Sequence, residues 1–180
     1  MRVVMAPRSH SSEQGFTLIE LLIVVAIISI LAAFSITNLM KTKQGANEVS
    51  AVASLQAISK AQVGYSTSCG NGGYATTLTT LGAPTPGTNE PYLSEDLTRA
   101  ATPLKAGYIF TLGPGADAAP GENDCNGTAT QSAYYATAVP QTFGQTGSRS
   151  FAMNARGTIW QVYAATPPAE PFGPPATTYK

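Results

Sequence analysis

With 180 residues, equal numbers of acidic and basic side chains and only 11% charged residues, the chain has no basic surface suited to nucleic acid and no acidic tract suited to a basic partner. Once its apolar N-terminal stretch is set aside, the remainder suffices for one modest hydrophobic core and not for a multidomain assembly. No internal repeats are evident.

Residues 1–15 are short and polar, with Arg2 and Arg8. From Leu21 to Met40 no residue carries a formal charge, and Lys41 and Lys43 close the run. That length meets the roughly 20 residues a helix needs to cross a bilayer. A secretory signal has a shorter apolar core followed by small residues at a cleavage site, so this segment is expected to stay in the mature chain. Charge bias leaves its orientation open, because basic residues flank both ends. One carboxylate, Glu20, stands near the start of the apolar stretch. An ionisable group in hydrocarbon costs about 2.5 to 3.5 kcal/mol even on lenient scales, so Glu20 predicts a partner.

The run Gly15-Phe16-Thr17-Leu18-Ile19-Glu20-Leu21-Leu22-Ile23-Val24-Val25-Ala26-Ile27-Ile28 resembles the cleavage and methylation segment of type IV prepilins and of the pseudopilins of type II secretion. The resemblance implies an α+β, type IV pilin-like fold: a long N-terminal helix, membrane-spanning in its first half, packed against a small antiparallel sheet of about four strands. It implies a structural subunit that polymerises through this helix into an extracellular or periplasmic filament, with a type II pseudopilin as the alternative. Prepilin peptidase would cut after Gly15 on the cytoplasmic side and the new N-terminus at Phe16 would be methylated. The chain would be a single-pass inner-membrane protein with its head in the periplasm, and later part of a surface pilus. The implied partners are copies of itself, the peptidase and methylase, the inner-membrane assembly platform, and membrane lipid before assembly.

Glu20 then acquires a role on physical grounds as well. After cleavage it lies one turn from the Phe16 amine, near the positive end of the helix dipole. In a staggered stack of subunits it could reach the amine of a neighbour, a pairing that the resemblance assigns to filament assembly. The simpler reading is an acid that starts a helix at the membrane interface. Pilins commonly have glycine where Ser29 stands and proline where Thr37 stands. Serine and threonine bend a helix only mildly, so a straighter stem is expected.

Past Lys43 the pattern becomes mixed. Ala51, Leu55, Ile58, Gln62 and Tyr65 recur at helical spacing and suit one face packed under a sheet, with Val49, Val52 and Val63 opposite. Cys69-Gly70-Asn71-Gly72-Gly73 should stop the helix. A helix from about Phe16 to Ser68 would be roughly 80 Å long. The segments are thus a leader, 1–15; a transmembrane and filament-core helix, 16–40; its amphipathic continuation, 41–68; a globular head, 69–165; and a Pro-rich tail, 166–180.

Tyr74 to Lys105 is rich in Thr, Pro and Gly and is expected to be a connection with short helical pieces at most. Strands are predicted over Gly107–Leu112, Ser132–Val139, Ser150–Met153 and Thr158–Tyr163, the last two joined by a hairpin turn at Asn154-Ala155-Arg156-Gly157. Phe151 and Met153, and Trp160 and Val162, are expected to pack in the core against the stem. Thr166 to Lys180 holds five prolines and should run extended along the surface as a mobile tail, outside any sheet interior.

Cys69 and Cys125 are the only cysteines, and under the implied orientation both face an oxidising compartment, which favours a disulfide over two buried thiols. The one histidine, His10, lies in the leader, so the mature chain has no imidazole for triad chemistry or metal ligation. Carboxylate neighbours at Glu95-Asp96, or Glu122 with Asp124, sit in polar loops, so a membrane-anchored enzyme is only a remote alternative and no catalytic residues or cofactor are expected. Asp117, Glu122 and Asp124 could offer oxygen ligands to calcium but lack regular spacing, and no metal site is expected. Asn126-Gly127-Thr128 is a sequon, preceded by Asp124 in the form bacterial oligosaccharyltransferases prefer, which makes Asn126 a candidate glycosylation acceptor.

Overall fold

The computed structural model describes residues 15–87 and 89–180, with the side chains of 34–37 outside that set. The rest of the leader, His10 included, and the side chain of Thr37 therefore lie outside the described residues. The chain divides into two units, one up to Leu39 and one from Met40 to Lys180.

A single α-helix, α1, spans Leu18–Ser68. Its sequence contains no proline, so no i to i−4 bond is removed. In the first unit Ser29 bonds back to the carbonyl of Val25 at 2.7 Å, the mild perturbation expected of serine in place of a helix breaker. The helix ends where the sequence requires. The amides of Cys69 and Gly70 both donate to the carbonyl of Tyr65, and Asn71 and Gly72 then take positive φ of 49° and 85°. Left-handed residues at this point cannot continue a helix but can satisfy its last carbonyls.

In the second unit, α1 buries Ala51, Leu55, Ile58, Gln62 and Tyr65 completely or nearly so. Val49 and Val63 face outward, but Val52 is buried, against expectation. At about 100° per residue Val52 sits at the edge of the buried arc centred near Ala51, whereas Val63 and Val49, about 120° and 160° round, fall beyond it.

The helix packs on antiparallel sheets, and the fold is α+β. Among the described residues nine strands follow α1: β1 (Tyr74–Ala75), β2 (Leu104–Lys105), β3 (Tyr108–Pro114), β4 (Pro120–Asn123), β5 (Ala129–Gln131), β6 (Tyr134–Pro140), β7 (Ser150–Asn154), β8 (Ile159–Val162) and β9 (Thr177–Thr178). Six form one sheet in the order β2-β3-β6-β7-β8-β9, and β1-β5-β4 form a second. The four strands legible from the sequence are β3, β6, β7 and β8, the central run of the larger sheet. The five others are two to four residues long, too short to show a period of two. Tyr108, Phe110, Tyr134, Ala136, Ala138, Phe151 and Met153 point from this sheet into one core with the helix residues. The β7–β8 turn closes as expected, with the Gly157 amide on the Asn154 carbonyl at 2.9 Å and Gly157 at φ 77°.

Trp160 and Val162 correct another expectation. Register pairs Trp160 with Ala152 and Val162 with Ser150, while Phe151 and Met153 lie opposite Gln161 and Ile159. Cross-strand partners share a face. Ile159 therefore enters the helix-side core and Trp160 points to the outer face, where it stacks on Phe172 at 5.3 Å. That ring comes from the proline-rich segment. Residues 166–180 are not a loose tail: β9 pairs with β8 at the sheet edge, Ala176 is buried, Tyr135 Oη bonds to the Pro168 carbonyl, and Glu170 accepts from Asn154 Nδ2 and the Ala116 amide. Proline confines such a segment to an edge but does not prevent its packing.

The connection between Ala75 and Leu104 contains two single-turn helices, α2 (Leu78–Leu81) and α3 (Glu95–Thr98). They drop Leu78, Leu81 and Leu97, with Leu93 between them, into the core. Thr77 caps α2 by accepting from the Thr80 amide.

Candidate functional site

Two places in the chain hold the residues singled out from the sequence. The first is the start of α1. Gly15, Phe16 and Thr17 precede the helix, so Thr17 is its N-cap and Glu20 its third residue. Thr17 Oγ1 accepts from the Glu20 amide at 3.2 Å and donates to Glu20 Oε2 at 3.3 Å. Threonine followed three residues later by glutamate is the spacing of a capping box, which satisfies helix-start amides that have no intrahelical partner. The Glu20 carboxylate thus accepts from the Thr17 hydroxyl before any cleavage: while Gly15 is attached, the Phe16 nitrogen is a peptide and offers no charge. The signal for this cap in the sequence is a threonine three residues before the glutamate.

Beyond this cap the helix presents apolar side chains on all sides. Leu18, Ile19, Leu21, Leu22, Ile23, Val24, Val25, Ile27, Ile28, Ile30 and Leu31 are all exposed. The segment is long and apolar enough to cross a membrane. Residues 10–36 match the family described as the prokaryotic N-terminal methylation motif. This segment is a prepilin-type methylation motif.

Three relatives are, by name, pilus and secretion-system proteins. The chain is 45% identical over 58 residues to the type IV major pilin protein PilA of Myxococcus xanthus, covering 32% of this chain and 26% of that one. It is 52% identical over 52 residues to the type IV wide pilus major component PilA4 of Thermus thermophilus, covering 29% and 40%. It is 37% identical over 54 residues to the type II secretion system core protein G of Escherichia coli, covering 30% and 37%. The matches thus span two fifths or less of each relative. No solved structure matches the chain at a significant level.

The second place is where α1 stops. Cys69 and Cys125 form a disulfide with Cα atoms 4.8 Å apart, and the Cys125 amide donates to the Cys69 carbonyl at 2.8 Å. Beside it Asp124 is buried and fully engaged. Its Oδ2 accepts from Tyr65 Oη at 2.7 Å, and its Oδ1 accepts from the amides of Asn126 and Thr128 at 2.9 and 2.6 Å. Burial, and then the Asp124 carboxylate, push the Tyr65 phenol well above its ordinary range. Asp117 and Glu122 are exposed and do not converge on Asp124, and no cluster suited to a metal occurs among the described residues. Asn126 is exposed in the turn between β4 and β5, next to Gly127 at φ 79°.

Two polar arrangements on α1 had no sequence signal of their own. Gln62, fully buried, donates to the carbonyl of Ala75 and accepts from its amide, both at 2.9 Å, so its side chain serves β1 as a neighbouring strand would. Glu48 is 4% exposed and collects four donors: the amide and hydroxyl of Ser148, each at 2.9 Å, and Nε and Nη2 of Arg149 at 2.8 and 2.5 Å. Burial raises the Glu48 pKa, but the Arg149 and Ser148 hydrogen bonds outweigh it and the net direction is downward.

Proposed function

We propose that this chain is a type IV pilin-like structural subunit. It is made as a precursor, cut after Gly15, N-methylated at Phe16, held as a single-pass inner-membrane protein with its head in the periplasm, and polymerised through α1 into a filament of its own copies. The partners of this reading are prepilin peptidase and methylase, membrane lipid, the inner-membrane assembly platform and other copies of the chain. Its role is mechanical, and no catalytic residue or cofactor is assigned.

One observation carries the reading. From Phe16 to Leu31 the large apolar side chains are between 44 and 80% exposed, and Glu20 is the one charged residue among them. At about 25 cal/mol per Å2, such a surface is strongly driven out of water, and no backbone group needs water because a helix satisfies them internally. Lipid covers it first and neighbouring helices cover it in the filament. On the same reading, the disulfide at the end of α1 ties the head to the stem in an oxidising compartment.

Intact-mass analysis of sheared surface material tests the proposal, with a chain beginning at N-methylated Phe16 as the expected result. Fibres whose subunits retain residues 1–15 would overturn it. The likeness to core protein G favours a second reading, a type II secretion pseudopilin. Deletion separates the two: loss of long surface fibres supports a pilin, whereas loss of exoprotein secretion with no change in fibres supports a pseudopilin.

A further inference from the structure

Around Trp160, on the outer face of the larger sheet, lies a groove of about 730 Å³. Three stretches far apart in sequence build it: Asp117 from the β3–β4 connection, Asn154, Arg156 and Trp160 from the β7–β8 hairpin, and Glu170 and Phe172 from the C-terminal segment. Its size lies within the range of ligand sites, about 300 to 1,000 Å³. The walls are fixed by contacts of their own. Glu170 accepts from Asn154 Nδ2 and the Ala116 amide, and Phe172 meets the rings of Trp160 and Tyr135 with centroids 5.3 and 6.2 Å away.

Two features of the lining select an occupant. Trp160 and Phe172 are close to parallel, at 16°, with centroids 5.3 Å apart. Carbon atoms in contact lie about 3.5 to 4 Å apart, so the two rings are slid past one another by roughly as much, and Phe172 leaves part of the indole face uncovered. Arg156 and Asp117 are exposed, and neither side chain has a hydrogen-bond or ion-pair partner among the described residues. A guanidinium only donates and an ionised carboxylate only accepts, whereas a hydroxyl does both. A ring with hydroxyls round its edge and an apolar C–H face therefore serves the indole, Arg156 and Asp117 together. A phosphate would meet the carboxylates of Asp117 and Glu170, and an apolar molecule would strip water from Arg156 and Asp117 without replacing its hydrogen bonds. A peptide adds to a sheet at an edge strand, but Trp160 opens on the face.

We propose that this groove is a binding site for neutral saccharides, with one sugar ring stacked on the Trp160 indole and its hydroxyls shared between Arg156 and Asp117. The site lies wholly within the unit from Met40 to Lys180 and does not rest on the filament reading.

The full chain in dodecylphosphocholine, a detergent without a sugar headgroup, is titrated with cellobiose, maltose, lactose and chitobiose. Trp160 is the only tryptophan, so its emission reports on the groove. At least one of these sugars should shift that emission in a saturable way, and saturation-transfer NMR on the same unsubstituted chain should mark the C–H protons of one ring face. Arg156→Ala and Asp117→Ala, at exposed positions, should melt as the parent chain does and bind that sugar more weakly by about tenfold or more. The absence of a saturable response to every one of these sugars, by both measurements, overturns the proposal. Binding that survives both substitutions unchanged places the sugar elsewhere and also overturns it. A response to trialanine and to no sugar would make the groove a peptide site, with the same consequence.

Discussion

Glu48 and Arg149, 101 residues apart in sequence, form an ion pair in which both Nε and Nη2 of the arginine reach one carboxylate oxygen. The guanidinium is also flanked by the rings of Phe151, Tyr163 and Tyr179 at 5.7 to 5.8 Å and donates to Gln161. One side chain thus connects the helix, two strands of the sheet and the C-terminal segment. Arg149→Met should destabilise the detergent-solubilised chain by about 3 kcal/mol, because it strands a buried carboxylate, whereas Glu48→Gln/Arg149→Met should cost less than the sum of the single changes. Denaturant titration of the four proteins reads the coupling, and additive costs would refute it.

The same pair sets the acid limit. The Glu48 pKa lies below its ordinary value near 4.5, so its contribution is fully present above that pH and is lost as pH falls through the lower folded value. Melting temperature should therefore decline below about pH 4.5, and Glu48→Gln should flatten that decline. An unchanged acid slope in the variant would place the effect elsewhere.

At the alkaline limit the tyrosines act. Burial is the leading cause raising the phenols of Tyr65, Tyr108 and Tyr134 above 10, and it pushes Tyr135 to about 12. Groups raised in the folded state stabilise it fully below pH 10, and that stability is lost as pH climbs from 10 towards the folded values. Phenolate absorbance should lag behind that of free tyrosine and then rise together with unfolding. A simple, non-cooperative titration near pH 10 would contradict the burial of these rings.

Reduction of the Cys69–Cys125 bond should lower stability by up to about 4 kcal/mol, the chain-entropy figure for a loop of this size, since the sequence separation is 56. Non-reducing peptide mapping should recover the linked pair. Alkylation of both thiols without reduction would exclude the bond.

The charge of Glu20 and its bond to Thr17 can be tested separately. Glu20→Gln keeps an acceptor for the Thr17 hydroxyl but removes the charge, and Glu20→Leu removes both. Both variants should insert and be cleaved after Gly15, and both should lose sheared fibres while the membrane fraction retains processed chain. Normal fibre yield from Glu20→Gln would show that the charge is not needed for assembly.

What the sequence by itself determined is the part of the protein governed by local rules. The motif at Gly15–Ile28 is legible as a family resemblance, and the uncharged run, the stop at Cys69–Gly73, the buried stripe Ala51-Leu55-Ile58-Gln62-Tyr65 and four strands follow from composition and from periods of 3.6 and 2, which act within a few residues. The partners that buried polar groups found were decided only in three dimensions. Nothing near Glu48 announces Arg149, nothing near Gln62 announces the backbone of Ala75, and Asp124 reads as a loop acid until Tyr65 arrives from the helix. Trp160 faces outward because its register sets it opposite Ala152, and its cover there, Phe172, comes from a distant stretch that lacks any period. Apolar burial is non-directional and can be read as a pattern, whereas a buried hydrogen bond needs one particular atom at one particular place, and only the closed fold brings it there.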